Sequence, residues 1–232
     1  MANENTQNNR PESSKASGKF FFLFVFLLVE LALYPYANHE GLTPWFRALN
    51  VFVTISSVYA VSFRRWTWII ALVLAVPVAL HRGIIYEITA SKLGILGGSI
   101  SVAFDIFIII LIFRRAFRGR EVTSDAVFAA VSIYLLVGFT FANVYDILVA
   151  FQPGAFYLDP LFNHHTLPVQ SDLTYYSFVT MTSLGAVGIS PLTDQARSLS
   201  IIESVLGILY LGVLVSRLIA TYRPQGDSGA HT

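Results

Sequence analysis

Apolar residues in this chain run together for whole helix lengths instead of recurring on one face every three or four positions. Six such runs stand out, at 20–36, 48–63, 66–80, 96–113, 126–151 and 199–222. Each comes near or above the roughly 20 residues that an α-helix needs to cross about 30 Å of hydrocarbon. The pattern predicts an all-α membrane protein with six transmembrane helices. Residues 1–19 are polar, without apolar periodicity, and read as a disordered tail; 223–232 read as a short second tail. The first run ends in Tyr34-Pro35-Tyr36 with no small-residue cleavage site after it, so it reads as a retained span and not a signal peptide. Between the second and third runs, Arg64-Arg65 leaves room only for a tight hairpin.

Composition agrees with that pattern. Of 232 residues, 55% are hydrophobic and 12% charged, which is more apolar surface than a soluble domain of this size hides. A net charge of +1 gives no basic surface for tracking phosphates, so nucleic acid is set aside as a partner. The absence of cysteine removes thiolate metal sites, iron–sulfur clusters and a cysteine nucleophile. None of the five histidines has the spacing of a metallohydrolase, and no nucleophile, base and orienting group occur together, so the chain does not read as an enzyme.

The cations give the direction. Counting loops alternately, one side holds Arg10, Lys15, Lys19, Arg64, Arg65, Arg114, Arg115, Arg118, Arg120 and Arg223, and the other holds Arg47, Arg82, Lys92 and Arg197. The bias puts both termini in the cytosol, as an even number of spans requires, and fits a bacterial plasma membrane.

The long outer stretch between the last two spans holds the chemistry. From Ser171 it reads as a helix of about ten residues, capped by Ser171 or Asp172, which is enough to cross only half of a membrane. After Thr182 it becomes rich in glycine and small residues. Non-helical backbone at membrane depth is tolerated only where protein buries it or where it lines a water-filled path. This predicts a re-entrant helix and loop whose carbonyls replace the hydration shell of a cation.

The order of spanning helix, pore helix, filter and inner helix over 121–222 resembles the pore module of the potassium channel superfamily. Its filter reads Thr-x-x-Thr-Val-Gly-Tyr-Gly-Asp. This chain has Thr180-Met181-Thr182-Ser183-Leu184-Gly185-Ala186-Val187-Gly188, followed by Ile189-Ser190-Pro191 where the family often has Ile-Thr-Pro. Beyond the loop, Arg197, Glu203, Gly207, Tyr210 and Arg217-Leu218 resemble the inner helix of bacterial two-helix pores. The resemblance implies a homotetramer in the lipid bilayer, with Thr182, Ser183, Leu184, Gly185, Ala186, Val187 and Gly188 as the conducting filter. It further implies K⁺ or Na⁺ held at Ser183, Leu184 and Gly185, no cofactor beyond that permeant ion, Gly207 as a gating hinge, and Tyr175, Tyr176 and Glu203 as filter support. A close-packing role is equally open for Gly207, which with Gly212 lies in a helix where glycine permits tight contact.

Two departures bear on selectivity. Alternate filter residues in the family take left-handed backbone angles, and the second such glycine position falls on Val187, where a β-branched residue costs about 1–2 kcal/mol per copy. The family's tyrosine is Ala186, too short to reach Tyr175-Tyr176 as a supporting cuff. K⁺ selectivity therefore has no basis in the outer half of the filter, and a non-conducting sensor or assembly subunit that keeps the pore architecture stays open beside the channel. The domain 20–120 contributes four further helices. Its fourth, 96–113, has no cation, so the arginine ladder of a voltage sensor is absent. Glu30 and Asp105 are acidic residues inside spans, with no intramembrane cation evident as partner for either. Asp146 and Asp194 are expected near the outer mouth.

Overall fold

The structure, a computed structural model, describes residues 18–37, 42–61, 65–82, 92–116, 124–163 and 165–221. The tail expected at 223–232 and all but the last two residues of the one at 1–19 lie outside them, as does the Arg64 half of the expected hairpin. Seven α-helices follow one another: α1 (Lys19–Leu33), α2 (Thr43–Ala60), α3 (Arg65–Leu80), α4 (Lys92–Ala116), α5 (Ser124–Phe151), α6 (Gln170–Met181) and α7 (Asp194–Thr221). Lys19 belongs to α1 and not to the tail. A single 3-10 turn, Tyr34–Tyr36, closes α1 where Pro35 can no longer donate to the ladder. Pro44 opens α2, the position at which a missing N–H costs nothing.

Among the described residues four helices are long and apolar enough to cross a membrane: α1 with its 3-10 turn, α4, α5 and α7. The other two expected spans fall short for different reasons. Helix α3 has 16 residues. Helix α2 has 18, but carries Asn50, Thr54, Ser56 and Ser57 in its middle. Thr54 and Ser57 bond back to the carbonyls of Asn50 (2.9 Å) and Val53 (2.8 Å), so these hydroxyls are buried without needing a partner on another helix.

A small element not foreseen from the sequence lies outside the helices. β1 (Phe156–Leu158) pairs antiparallel with β2 (Ile189–Pro191), Tyr157 facing Ser190, and so ties the segment after α5 to the segment before α7.

Two apolar cores result. The larger joins α1 to α5 through Leu23, Leu27, Val53, Phe104, Ile108 and Ile133. The smaller gathers Tyr145, Phe156, Leu158, Leu173, Tyr176 and Ile189 around the sheet and α6. Its centre is three mutually edge-on rings: Tyr145 to Phe156 (5.4 Å), Tyr145 to Tyr176 (5.3 Å) and Phe156 to Tyr176 (5.1 Å). Such pairs add about 0.5–1.5 kcal/mol beyond the area they bury, and here they clamp α5, β1 and α6 together.

Glycine at the middle of each neighbour lets α6 approach. A Cβ on Gly138 of α5 would meet the Phe178 ring at 2.7 Å, and one on Gly207 of α7 would strike the Met181 carbonyl oxygen. Close packing thus gives Gly207 a structural reason. Overpacking a tight contact costs about 1–3 kcal/mol. Gly138→Ala and Gly207→Ala are expected to lower the melting midpoint in detergent by several degrees, measured by circular dichroism, while Gly154→Ala, with open space at its Cα, leaves it unchanged.

Candidate functional site

Helix α6 begins with its own cap. Val169, not Ser171 or Asp172, is the N-cap residue; Asp172 reaches back from the first turn to accept the Val169 N–H at 3.0 Å, and also meets His165 Nε2 at 2.6 Å. The helix ends at Met181, where Thr182 gives both its N–H (3.1 Å) and its hydroxyl (2.7 Å) to the Phe178 carbonyl. The following amides fold down on the last turn, Ser183 onto Thr180 (3.0 Å) and Leu184 onto Val179 (3.0 Å).

What comes next is irregular backbone. Among the described residues, positive φ occurs at Ser183 (59°), Gly185 (84°) and Gly188 (82°). Ser183 is the one non-glycine in that set, and its left-handed angle costs roughly 1–2 kcal/mol. Val187 does not share it. No donor among the described residues reaches the carbonyl oxygens of Thr182 to Val187. Thr182, Ser183, Leu184, Gly185 and Val187 are exposed, Leu184 at 79%.

Both ends of this segment are anchored. The Ser183 hydroxyl lies 3.2 Å from that of Ser204 on α7. At the other end the Gly188 carbonyl accepts from Asn163 Nδ2 (2.7 Å) and from the Asp159 N–H (2.9 Å). Tyr175 donates no ring cuff to Ala186 in the manner of a tyrosine pair; its hydroxyl oxygen instead accepts the Val187 N–H at 3.3 Å, and Ala186 packs on the smaller core.

Behind the segment sits Glu203, fully buried on α7. Tyr145 donates to its Oε2 at 2.6 Å. Ser177 Oγ lies 2.5 Å from Oε1 and 2.7 Å from the Gly138 carbonyl, two acceptors for one hydroxyl proton. Both contacts are hydrogen bonds when the carboxyl itself supplies a proton to Ser177, which passes its own to Gly138. Tyr176 bonds Ser200 on α7 at 2.6 Å, and Tyr210 of α7 donates to the Ala130 carbonyl of α5 at 2.6 Å.

Of the residues singled out from the sequence, Tyr175 contacts the segment 182–188, Glu203 bonds to α6 through Ser177, Tyr176 bonds to α7 through Ser200, and Gly207 lies against Met181. Sequence reasoning passed over Ser177, Tyr145, Gly138, Asn163 and Asp159. Of these, Asn163 and Asp159 lie far along the chain from the loop they hold, and only the β1–β2 pairing brings them to it. A second correction concerns Asp105, which does have a cation: Arg82 Nη2 contacts its Oδ2 at 2.6 Å. Asp146 lines a cavity together with Glu30 and Asp105.

No protein-family model, curated protein or solved structure matches the chain.

The proton count at Glu203 has a consequence. Glutamine offers the same pattern, an N–H toward Ser177 and a carbonyl toward Tyr145, so Glu203→Gln is expected to melt within about 0.5 kcal/mol of the parent. Glu203→Leu strands two buried hydroxyls and is expected to cost about 1–3 kcal/mol for each. Denaturant melts in detergent check both; a glutamine variant as unstable as the leucine one would show that the negative charge is required.

Proposed function

We propose that the chain is one subunit of a homotetrameric channel for monovalent cations, in which the segment 182–188 of four copies surrounds an axial path. The observation that carries this reading is the exposed irregular backbone, left-handed at Ser183 and Gly185, whose carbonyls at 182–187 meet no donor among the described residues, starting where α6 stops against the midpoints of α5 and α7. Carbonyls at that depth, if α5 and α7 span a bilayer, have no lipid-facing solution. Pooled around an axis they coordinate a dehydrated ion, K⁺ or Na⁺, at Ser183, Leu184 and Gly185.

The reading has six helices across the plasma membrane, with α6 entering from the outer side and the polar tails in the cytosol. At 1.5 Å per residue α6, with 12 residues, is about 18 Å long, roughly half of the hydrocarbon. Helices α2 and α3, with 18 and 16 residues, reach about 27 and 24 Å, close to a full crossing. Helix α7 supports the assembly: Ile201, Ile202, Val205, Leu206, Ile208 and Leu209 are all exposed in the single chain, a face available to neighbouring copies.

One observation favours the second reading, a non-conducting sensor or assembly subunit. The alternation of left-handed residues at Ser183 and Gly185 lapses at Val187.

Purified protein in liposomes separates the two. The wild-type chain is expected to pass both K⁺ and Na⁺, and Val187→Gly to raise the preference for K⁺; mass photometry is expected to give four chains per particle. Silent wild-type protein with a conducting Val187→Gly variant would select the second reading. A monomer, or silence from both proteins, overturns the channel.

A further inference from the structure

Helices α1, α2, α4 and α5, the residues just past α3 and the start of α6 line a cavity of about 580 Å³ to which the segment 182–188 contributes nothing. It opens among the end of α1, the start of α2, the end of α3 and the segment leading into α6. Small-molecule sites run to roughly 300–1,000 Å³, so the size suits a ligand of a few to a dozen heavy atoms.

Among the described residues three carboxyl groups, of Glu30, Asp105 and Asp146, line it together with two guanidiniums, of Arg47 and Arg82. Arg82 is engaged by Asp105 at 2.6 Å, and Asn143 Nδ2 adds a contact to the same Oδ2 at 3.3 Å. His81, past the end of α3, adds no positive charge at neutral pH, because burial and the neighbouring Arg82 hold its imidazole below the usual value. Glu30 is 6% exposed, faces the cavity and accepts no hydrogen bond among the described residues.

Further acceptors point the same way. Ser101 Oγ is buried without a partner, and so is Gln170 Oε1, although its amide nitrogen donates to Asn143 Oδ1 at 3.1 Å. Both line the cavity. Leu27, Val53, Leu136 and Phe139 complete the wall with apolar surface. A group that fits carries a positive charge, several N–H donors and an aliphatic body.

We propose that this cavity binds a small alkylammonium, its N–H groups turned to Glu30, Ser101 and Gln170 and its chain against the apolar wall. An ammonium supplies the hydrogen-bonded donor that Glu30 lacks among the described residues, and burial away from water strengthens the pairing. The ligand is either a free amine or the amine of a lipid headgroup, since the two share this chemistry. Gln170 is the first residue of α6, so an occupant touches the element that carries the segment 182–188. The site is nonetheless separate from the proposed pore, and its test needs no ion flux.

Calorimetric titration of the full chain in phosphatidylglycerol nanodiscs compares n-butylammonium with 1-butanol, which differ in charge and donors but not in bulk. Saturable binding of the ammonium, at least tenfold tighter than the alcohol, is expected. Glu30→Gln with an unchanged ligand-free melting temperature is expected to weaken it tenfold or more, and Ala150→Phe, which fills the cavity without touching a charge, to abolish it. Equal binding of the two probes, no binding by the wild-type chain, or a folded Glu30→Gln variant that binds within twofold of it overturns the proposal. Should Glu30→Gln fail to fold, the comparison of probes on the wild-type chain still decides. Repeating the titration in phosphatidylethanolamine nanodiscs assigns the source: weakened binding of the soluble probe marks a headgroup occupant and unchanged binding a free amine, and both uphold the ammonium site.

Discussion

The structure of the last hundred residues depends on where α6 stops. Its C-terminal residue, Met181, lies against Gly207 at the middle of α7, and Phe178 lies against Gly138 at the middle of α5. A helix that ended at the surface would give its last carbonyls to water. This one ends between two long apolar helices, and among the described residues no donor reaches the carbonyls of the six residues after it. Such carbonyls need something polar facing them, because leaving one unpaired away from water costs on the order of 1–3 kcal/mol. That constraint ties the helix stop, the two glycines and the exposure of Thr182 to Gly185 into one requirement.

The back of the segment is arranged in the opposite manner, around a hydrogen-bonded network centred on Glu203. Glu203, Tyr145, Ser177, Gly138 and, one turn toward the start of α7, Tyr176 with Ser200 form a closed set of hydrogen bonds across α5, α6 and α7. A satisfied polar network fixes a unique relative position for its members, because displacing any one of them strands the others. The three edge-on rings above it hold the same helices by packing. Rigid support behind and unmatched oxygens in front are the two conditions that a backbone cage for a cation needs, since a coordinating carbonyl must keep its place when the ion leaves.

Much of this was legible in the chain. Unbroken apolar runs located the helices, because lipid-length helices need no periodicity, and the helix bounds moved mainly at their ends. Thr182 followed by small residues and Gly185 marked the break after α6, since left-handed angles are written in residue type. The membrane-crossing status of α2 was less legible: its Thr54 and Ser57 are neutralised by bonds within their own helix, so polarity and burial disagree. Partnerships between distant positions were not legible at all. Nothing local joins Arg82 to Asp105 or Asn163 to Gly188; helix packing and the two-stranded sheet bring them together.

Val187 shows how the loop resolves the difficulty that its sequence poses. A left-handed valine would cost about 1–2 kcal/mol. The chain avoids this by placing its third left-handed residue at Gly188. A Cβ at Gly188 would meet Phe162 at 2.8 Å, and its carbonyl is taken by Asn163 and Asp159, so this glycine is built into the outer wall. The strict alternation therefore extends over Ser183 and Gly185 alone. In the proposed pore, coordination would therefore fall to the half next to the end of α6, where the helix dipole adds partial negative charge and the Ser183 and Ser204 hydroxyls meet.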